Sequence, residues 1–249
     1  MDARRWPWLA SAGLLLASAV AAAWSVYLHW LPCRGTMLNG SILLGFTYPR
    51  EFGDACLRRM DTGLPFPYPP EPGEQTAWAS ELGVAATVLT GLAWLVLVVG
   101  SAWEIRTKAI AVLPGLLTLG LAGHAAVAVG RTERSVDGPM ALWVLMELLT
   151  VVAVAAVLLR EPGARWWSIA ALLVVAWGST AMGGLHQVGD YVGTATFSDA
   201  NWDLPPGTGY LTAAGLLVAG GLTLAYAIRW PRPAQPADRA RSSLLDVPV

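Results

Sequence analysis

Six apolar runs, each long enough to cross a bilayer, recur along the chain at residues 8–30, 78–103, 109–130, 140–159, 167–185 and 210–229. A helix needs roughly 20 apolar residues to cross ~30 Å of hydrocarbon. Inside hydrocarbon every backbone N–H and C=O must find its partner within the protein, which leaves helices or a closed barrel. Runs this long, without period-two alternation, select helices. The expected fold is therefore all-α: a polytopic membrane protein with a bundle of about six transmembrane helices and a structured extracytoplasmic loop. Composition agrees, because 55% hydrophobic and 13% charged residues exceed what the core of a soluble domain uses. The lipid bilayer is the first partner to expect. A net charge of −1 with scattered basic residues offers no stripe for nucleic acid.

Charge sets the orientation. With six crossings, Arg4, Arg5, Arg106, Lys108, Arg160, Arg165, Arg229, Arg232, Arg239 and Arg241 fall on one side. That is ten of the sixteen basic residues, in much the shorter total length of loop. Cytoplasmic loops carry the excess of Lys and Arg, so both termini are expected in the cytoplasm. Trp8, Trp103, Trp166, Trp167 and Trp230 then mark the inner interface, and Trp30, Trp78 and Trp143 the outer one, as an aromatic belt requires. One lysine beside fifteen arginines, with abundant Ala, Gly and Pro, reads as the codon usage of a GC-rich bacterium, and the expected location is a bacterial inner membrane.

The first long loop, residues 31–77, faces outward in that arrangement and holds both cysteines, Cys33 and Cys56. Pro49 begins a short helix over residues 50–61, and Gly63 with Pro65 ends it. Phe52, Cys56, Leu57 and Met60 share one face of it, with Arg50, Asp54, Arg58 and Asp61 elsewhere around the turn. A Cys33–Cys56 disulfide is expected, since disulfides persist on the oxidising side of a membrane. On the chain-entropy view, closing such a loop contributes about 3 kcal/mol. Residues 65–72 hold five prolines around Phe66 and Tyr68 and read as a stiff connector. Asn39, Gly40 and Ser41 make a turn.

At the N-terminal end, Arg4 and Arg5, an apolar stretch and small residues before Trp24 imitate a signal peptide. The apolar run continues to Leu28, which favours an uncleaved anchor. The loop of residues 187–209 is acidic, with Asp190, Asp199 and Asp203 and no basic residue. Residues 231–249 have too little apolar content to fold alone and are expected to be a disordered cytoplasmic tail.

Ionisable residues in or near the spans are the candidate functional groups, because hydrocarbon charges about 2.5 kcal/mol or more for each charged side chain. His124 and Glu147 lie at similar depth, about 9 Å from the outer ends of spans three and four, which a short loop joins. Glu81 enters span two, and His29 and His186 stand at the outer ends of spans one and five. All five collect toward the face that carries the cysteine loop. Imidazoles and carboxylates so gathered suit a metal, a haem or a proton relay in a binding protein, transporter or membrane oxidoreductase. The plainer account is a His124–Glu147 hydrogen bond that locks two helices, since no HExxH or paired-histidine spacing occurs.

Other chemistries lack their motifs. Two cysteines 23 apart form no Cys-x-x-Cys pair, so a static bond is expected over a catalytic one. No Gly-x-Ser-x-Gly elbow is present. The halves show no repeat of the transporter kind, and the single lysine, Lys108, lies in a loop where no retinal could sit. Small residues four apart, such as Ser179 and Gly183 or Gly215 and Ala219, fit ordinary helix packing. With its distinctive sequence in the outer loops, the chain is expected to be a non-catalytic accessory or interaction subunit that meets a membrane-protein partner there. The alternative is the ligand or metal site among His124, Glu147, Glu81, His186 and His29.

Overall fold

The computed structural model describes residues 5–33, 53–61, 78–101, 103–131 and 206–229, together with single helical residues or short helical stretches at 145, 148–153, 155 and 192. Among the described residues all regular structure is helical. The helices described from end to end are, in order, α1 (Trp6–His29), α2 (Asp54–Asp61), α3 (Ala79–Gly100), α4 (Ile105–Arg131) and α5 (Tyr210–Arg229). A 3₁₀ turn, Leu31–Cys33, follows α1. Four of them, α1, α3, α4 and α5, are long and apolar enough to cross a membrane, the mark of a membrane protein. They match the first, second, third and sixth expected spans. The expected spans at residues 140–159 and 167–185 lie outside the described residues, apart from the helical residues 145, 148–153 and 155.

Helix ends differ from expectation by a few residues, for local reasons. α1 starts at Trp6 because Pro7 can occupy the first turn, where its missing N–H removes no bond. α4 starts at Ile105 instead of residue 109, so Arg106 and Lys108 belong to its first turns and not to a loop. The Lys108 ammonium donates to the Val99 carbonyl at 2.9 Å, satisfying an acceptor at the end of α3. Pro114 lies inside α4 and does not start it.

Among the described helices α1 packs against both α3 and α5, and α3 in turn packs on α4. The buried residues of α1 include Trp8, Ser11, Leu15, Ser18, Ala22, Ser25 and His29, spaced by three and four. The Ser18 hydroxyl donates to the Ala86 carbonyl at 2.7 Å and lies 2.8 Å from the Thr90 hydroxyl. The Ser25 hydroxyl donates to the Ala79 carbonyl at 2.6 Å. Seven residues forward on α1 thus meet seven residues back on α3, so the two helices are antiparallel. In the same way Trp94 donates its indole N–H to the Ala111 carbonyl at 2.6 Å, while Gly91 meets Gly115, which makes α4 antiparallel to α3.

The α1–α5 seam runs from Trp8 on Tyr226, with ring centroids 4.7 Å apart, through Leu16 on Gly220, to Trp30, whose indole N–H donates to the Thr208 carbonyl at 2.9 Å. These helices are antiparallel too. The C-terminal end of α1, the N-terminal ends of α3 and α5 and the C-terminal end of α4 therefore share one end of the bundle. Outward faces of α4 and α5 carry exposed Leu113, Leu116, Val127, Leu217, Val218 and Leu222, a surface suited to hydrocarbon.

Candidate functional site at the capped end of the bundle

The expected disulfide is present. Cys33 and Cys56 are bonded, with Cα atoms 4.8 Å apart, and both are buried. Cys33 is held by its backbone N–H donating to the Trp30 carbonyl at 2.9 Å, directly after α1. The bond thereby fastens α2 over the end of the bundle. α2 begins at Asp54, with the Cys56 and Leu57 amides donating to the Gly53 carbonyl. An acidic first-turn residue suits the positive end of a helix. The expected start at residue 50 and the placement of Phe52 lie outside the described residues.

Cys56 and Met60 turn inward as their spacing requires, Leu57 is half-buried, and Asp54 and Ala55 are exposed. Arg59 is the surprise, since it is only 3% exposed. It stands three residues from Cys56, on the same face of α2, so the fastened face carries a guanidinium as well as apolar groups. The helical offset from Cys56 was the available signal for it.

His29, at the outer end of its span, is only 2% exposed, so it packs within the protein and does not face the membrane surface. It closes the inward stripe of α1, seven residues beyond Ala22, so the same periodicity that buries Leu15 and Ala22 buries it. Its ring packs edge-on against Trp30, with centroids 4.7 Å apart. Neither ring nitrogen makes a hydrogen bond among the described residues. The Cys33–Cys56 bond sets the inward face of α2, which carries Arg59, beyond the end of α1 where His29 stands.

The other predicted residues are distributed differently. Glu81 lies in the first turn of α3 and is exposed. His124 is exposed on α4, seven residues from its end. The α3–α4 register that sets Gly91 against Gly115 puts Glu81 level with Ala125, beside His124 in depth. Glu147 and His186 lie outside the described residues, and with them the proposed His124–Glu147 pair. Among the described residues no three His, Cys, Asp or Glu side chains gather as metal ligands would. Comparison with protein-family models, with curated proteins and with solved structures finds no match.

The arrangement at this end is a cap: a short amphipathic helix that carries a buried arginine, bonded to the chain just beyond a buried histidine. It can do two things chemically. It can present a fixed polar surface beyond the bundle, and it can hold hydrogen-bonding groups shielded from water beneath.

Proposed function

We propose that this chain is a six-span protein of a bacterial inner membrane, with cytoplasmic termini, serving as a non-catalytic accessory or interaction subunit through its extracytoplasmic loops. The observation that carries the reading is the covalent attachment of α2 to the end of α1. A short helix of 8 residues is marginal alone in water, because its nucleation outweighs the few bonds it gains. Bonded to the bundle, it keeps one face inward and offers Gly53, Asp54 and Ala55 as a fixed surface. Fixing a recognition surface before the encounter lowers the ordering cost of binding.

The six-span reading draws support from parity. α4 ends and α5 begins at the same end of the bundle, so the residues between them make an even number of crossings. Two apolar runs, 140–159 and 167–185, supply that number. The test is co-purification of the full chain in mild detergent, wild type beside Cys56→Ser. A stoichiometric partner that is captured by wild type and lost from the variant, with the bundle still folded, is the expected result. Capture that is equal in both, or no stoichiometric partner after crosslinking in intact cells, removes the reading.

A further inference from the structure

Exposed aromatic residues mark where the bundle leaves the hydrocarbon, because tryptophan and tyrosine collect at the two membrane–water boundaries. On α1, Trp6 and Trp24 are both exposed. At 1.5 Å per residue they lie about 27 Å apart along the axis, close to the ~30 Å of a bilayer core. Tyr27 packs on Trp24 with ring centroids 5.5 Å apart, and the Ser25 bond to Ala79 sets the exposed Trp78 at the same level. His29 follows Trp24 by about 7 Å and so stands on the aqueous side of that boundary. Protein nevertheless buries it, and neither ring nitrogen has a hydrogen-bond partner among the described residues.

The titratable and charged groups at this end come from each element in turn. On α1 itself Tyr27 is on the exposed side. α3 brings Glu81, exposed in its first turn, and α5 brings Tyr210, half-buried at its start. The 3₁₀ turn brings Cys33, which is bonded and does not titrate. α2, fastened to that turn, brings the exposed Asp54 and, on its inward face, the cation Arg59. None of these groups accepts a hydrogen bond from the imidazole. A protonated imidazole carries a charge and two N–H donors, and holding it out of water without an acceptor is costly. Proton uptake and burial of His29 therefore oppose each other. The part placed to give way is the end of α1: the His29 ring lies edge-on to Trp30, whose indole N–H holds the Thr208 carbonyl ahead of α5, and Cys33 ties α2 to the same end. We infer that His29 makes the capped end of the bundle an acid-responsive latch, shut while the imidazole is neutral and released when it takes a proton from the water on that side, with α2 moving as the end of α1 moves. The shut end binds fewer protons than the released one. Its stability is accordingly full above the ordinary imidazole value, about pH 6.5, and declines as the pH falls below it. This goes beyond the interaction-subunit reading and does not rest on it, since the latch responds whether or not a protein partner exists.

The experiment is hydrogen exchange on the full-length chain in detergent at about pH 7.5 and about pH 5, each rate divided by the intrinsic rate at that pH so that only protection is compared. The probes at the capped end are the amides of Trp30, Cys33 and Tyr210, which donate to the Val26, Trp30 and Gly207 carbonyls. The control is the Lys108 amide at the opposite end, which donates to the Glu104 carbonyl. If the proton binds only the released form, with an ordinary imidazole value, the population of that form rises about thirtyfold between the two conditions. Wild type is expected to lose about thirtyfold in protection at the three capped-end amides and to keep it at Lys108. His29→Phe, which keeps a ring against Trp30, and His29→Gln, which keeps a polar group there, are expected to show no such loss. Wild-type protection that is unchanged at the capped end, or that falls equally at Lys108, overturns the inference without any variant. A loss of the same size in either folded variant overturns it as well.

Discussion

Gly115 and Gly120 stand five residues apart on α4 and meet opposite surroundings. A Cβ on Gly115 would lie 2.7 Å from the Leu95 side chain and 2.9 Å from the Trp94 ring, which its bond to Ala111 holds in place. A Cβ on Gly120 would meet nothing within 4 Å. Gly115→Ala is therefore expected to destabilise the bundle by about 1–3 kcal/mol through overpacking. Gly120→Ala is expected to be neutral or to gain up to about 1 kcal/mol from the smaller backbone entropy of alanine. Equilibrium unfolding in detergent reads both, and the same sign for the two would show that the α3–α4 contact at Gly115 is misplaced. Ser18→Ala is expected to cost little, about 0.6 kcal/mol, the average for a hydrogen bond between membrane helices. Thr90 keeps its own 2.9 Å bond to the Ala86 carbonyl when Ser18 is truncated, so no acceptor is left bare. A loss of several kcal/mol in the same assay would mean that Ser18 organises more than this one seam. These positions also show where sequence reading stops. In water the buried face of a helix is the apolar one, but around α1 the buried stripe holds Ser11, Ser18 and Ser25 while Val20 and Trp24 are exposed. With apolar groups on every face, composition reveals a span without revealing which side packs. Hence His29, at the outer end of its span, is buried, while His124, about 9 Å from the outer end of its own by the sequence, is exposed.

At the scale of elements, α2 was the most legible piece. Its cysteine spacing, the inward turn of Cys56 and Met60 and its bond to Cys33 all follow from offsets along a short helix. The helix ends were less legible, because lipid-facing and interfacial residues can extend a helix as readily as they can leave it. Arg106 and Lys108 look like loop residues in a charge count, yet their positions in the first turns of α4 let Lys108 reach the last carbonyls of α3. The disulfide carries a prediction at this level. Cys56→Ser removes a closure worth about 3 kcal/mol on the chain-entropy view. An 8-residue helix does not persist alone. Hydrogen exchange at the amides of Cys56 and Leu57, now bonded to the Gly53 carbonyl, is expected to rise by about two orders of magnitude in the variant, as a loss of about 3 kcal/mol implies. The amides of Leu82, on α3, and Ser101, which follows it, are expected to keep their protection. Unchanged exchange in α2 would show that packing of Met60 and Arg59, and not the covalent bond, fastens the cap.

At the scale of the whole molecule the spans constrain one another through direction. α1 is antiparallel to α3 and α5, and α3 to α4, so α4 leaves and α5 enters at the capped end. On the six-span proposal the chain between α4 and α5 crosses twice, through the apolar runs 140–159 and 167–185. Two crossings there give six spans and none gives four. Single cysteines on a Cys33→Ser, Cys56→Ser background separate these cases with a membrane-impermeant maleimide on intact cells. Thr132→Cys and Ser198→Cys are expected to label from outside, and Ser242→Cys to label only after lysis. Gly163→Cys, midway between the two apolar runs, decides the count. Labelling only after lysis means that the chain went in and came back, as six spans require. Labelling from outside together with Thr132→Cys and Ser198→Cys would leave those runs on the outer surface and reduce the bundle to four crossings. The inverse pattern throughout would reverse the orientation, placing the Cys33–Cys56 cap in the reducing cytoplasm, where a structural disulfide does not ordinarily persist.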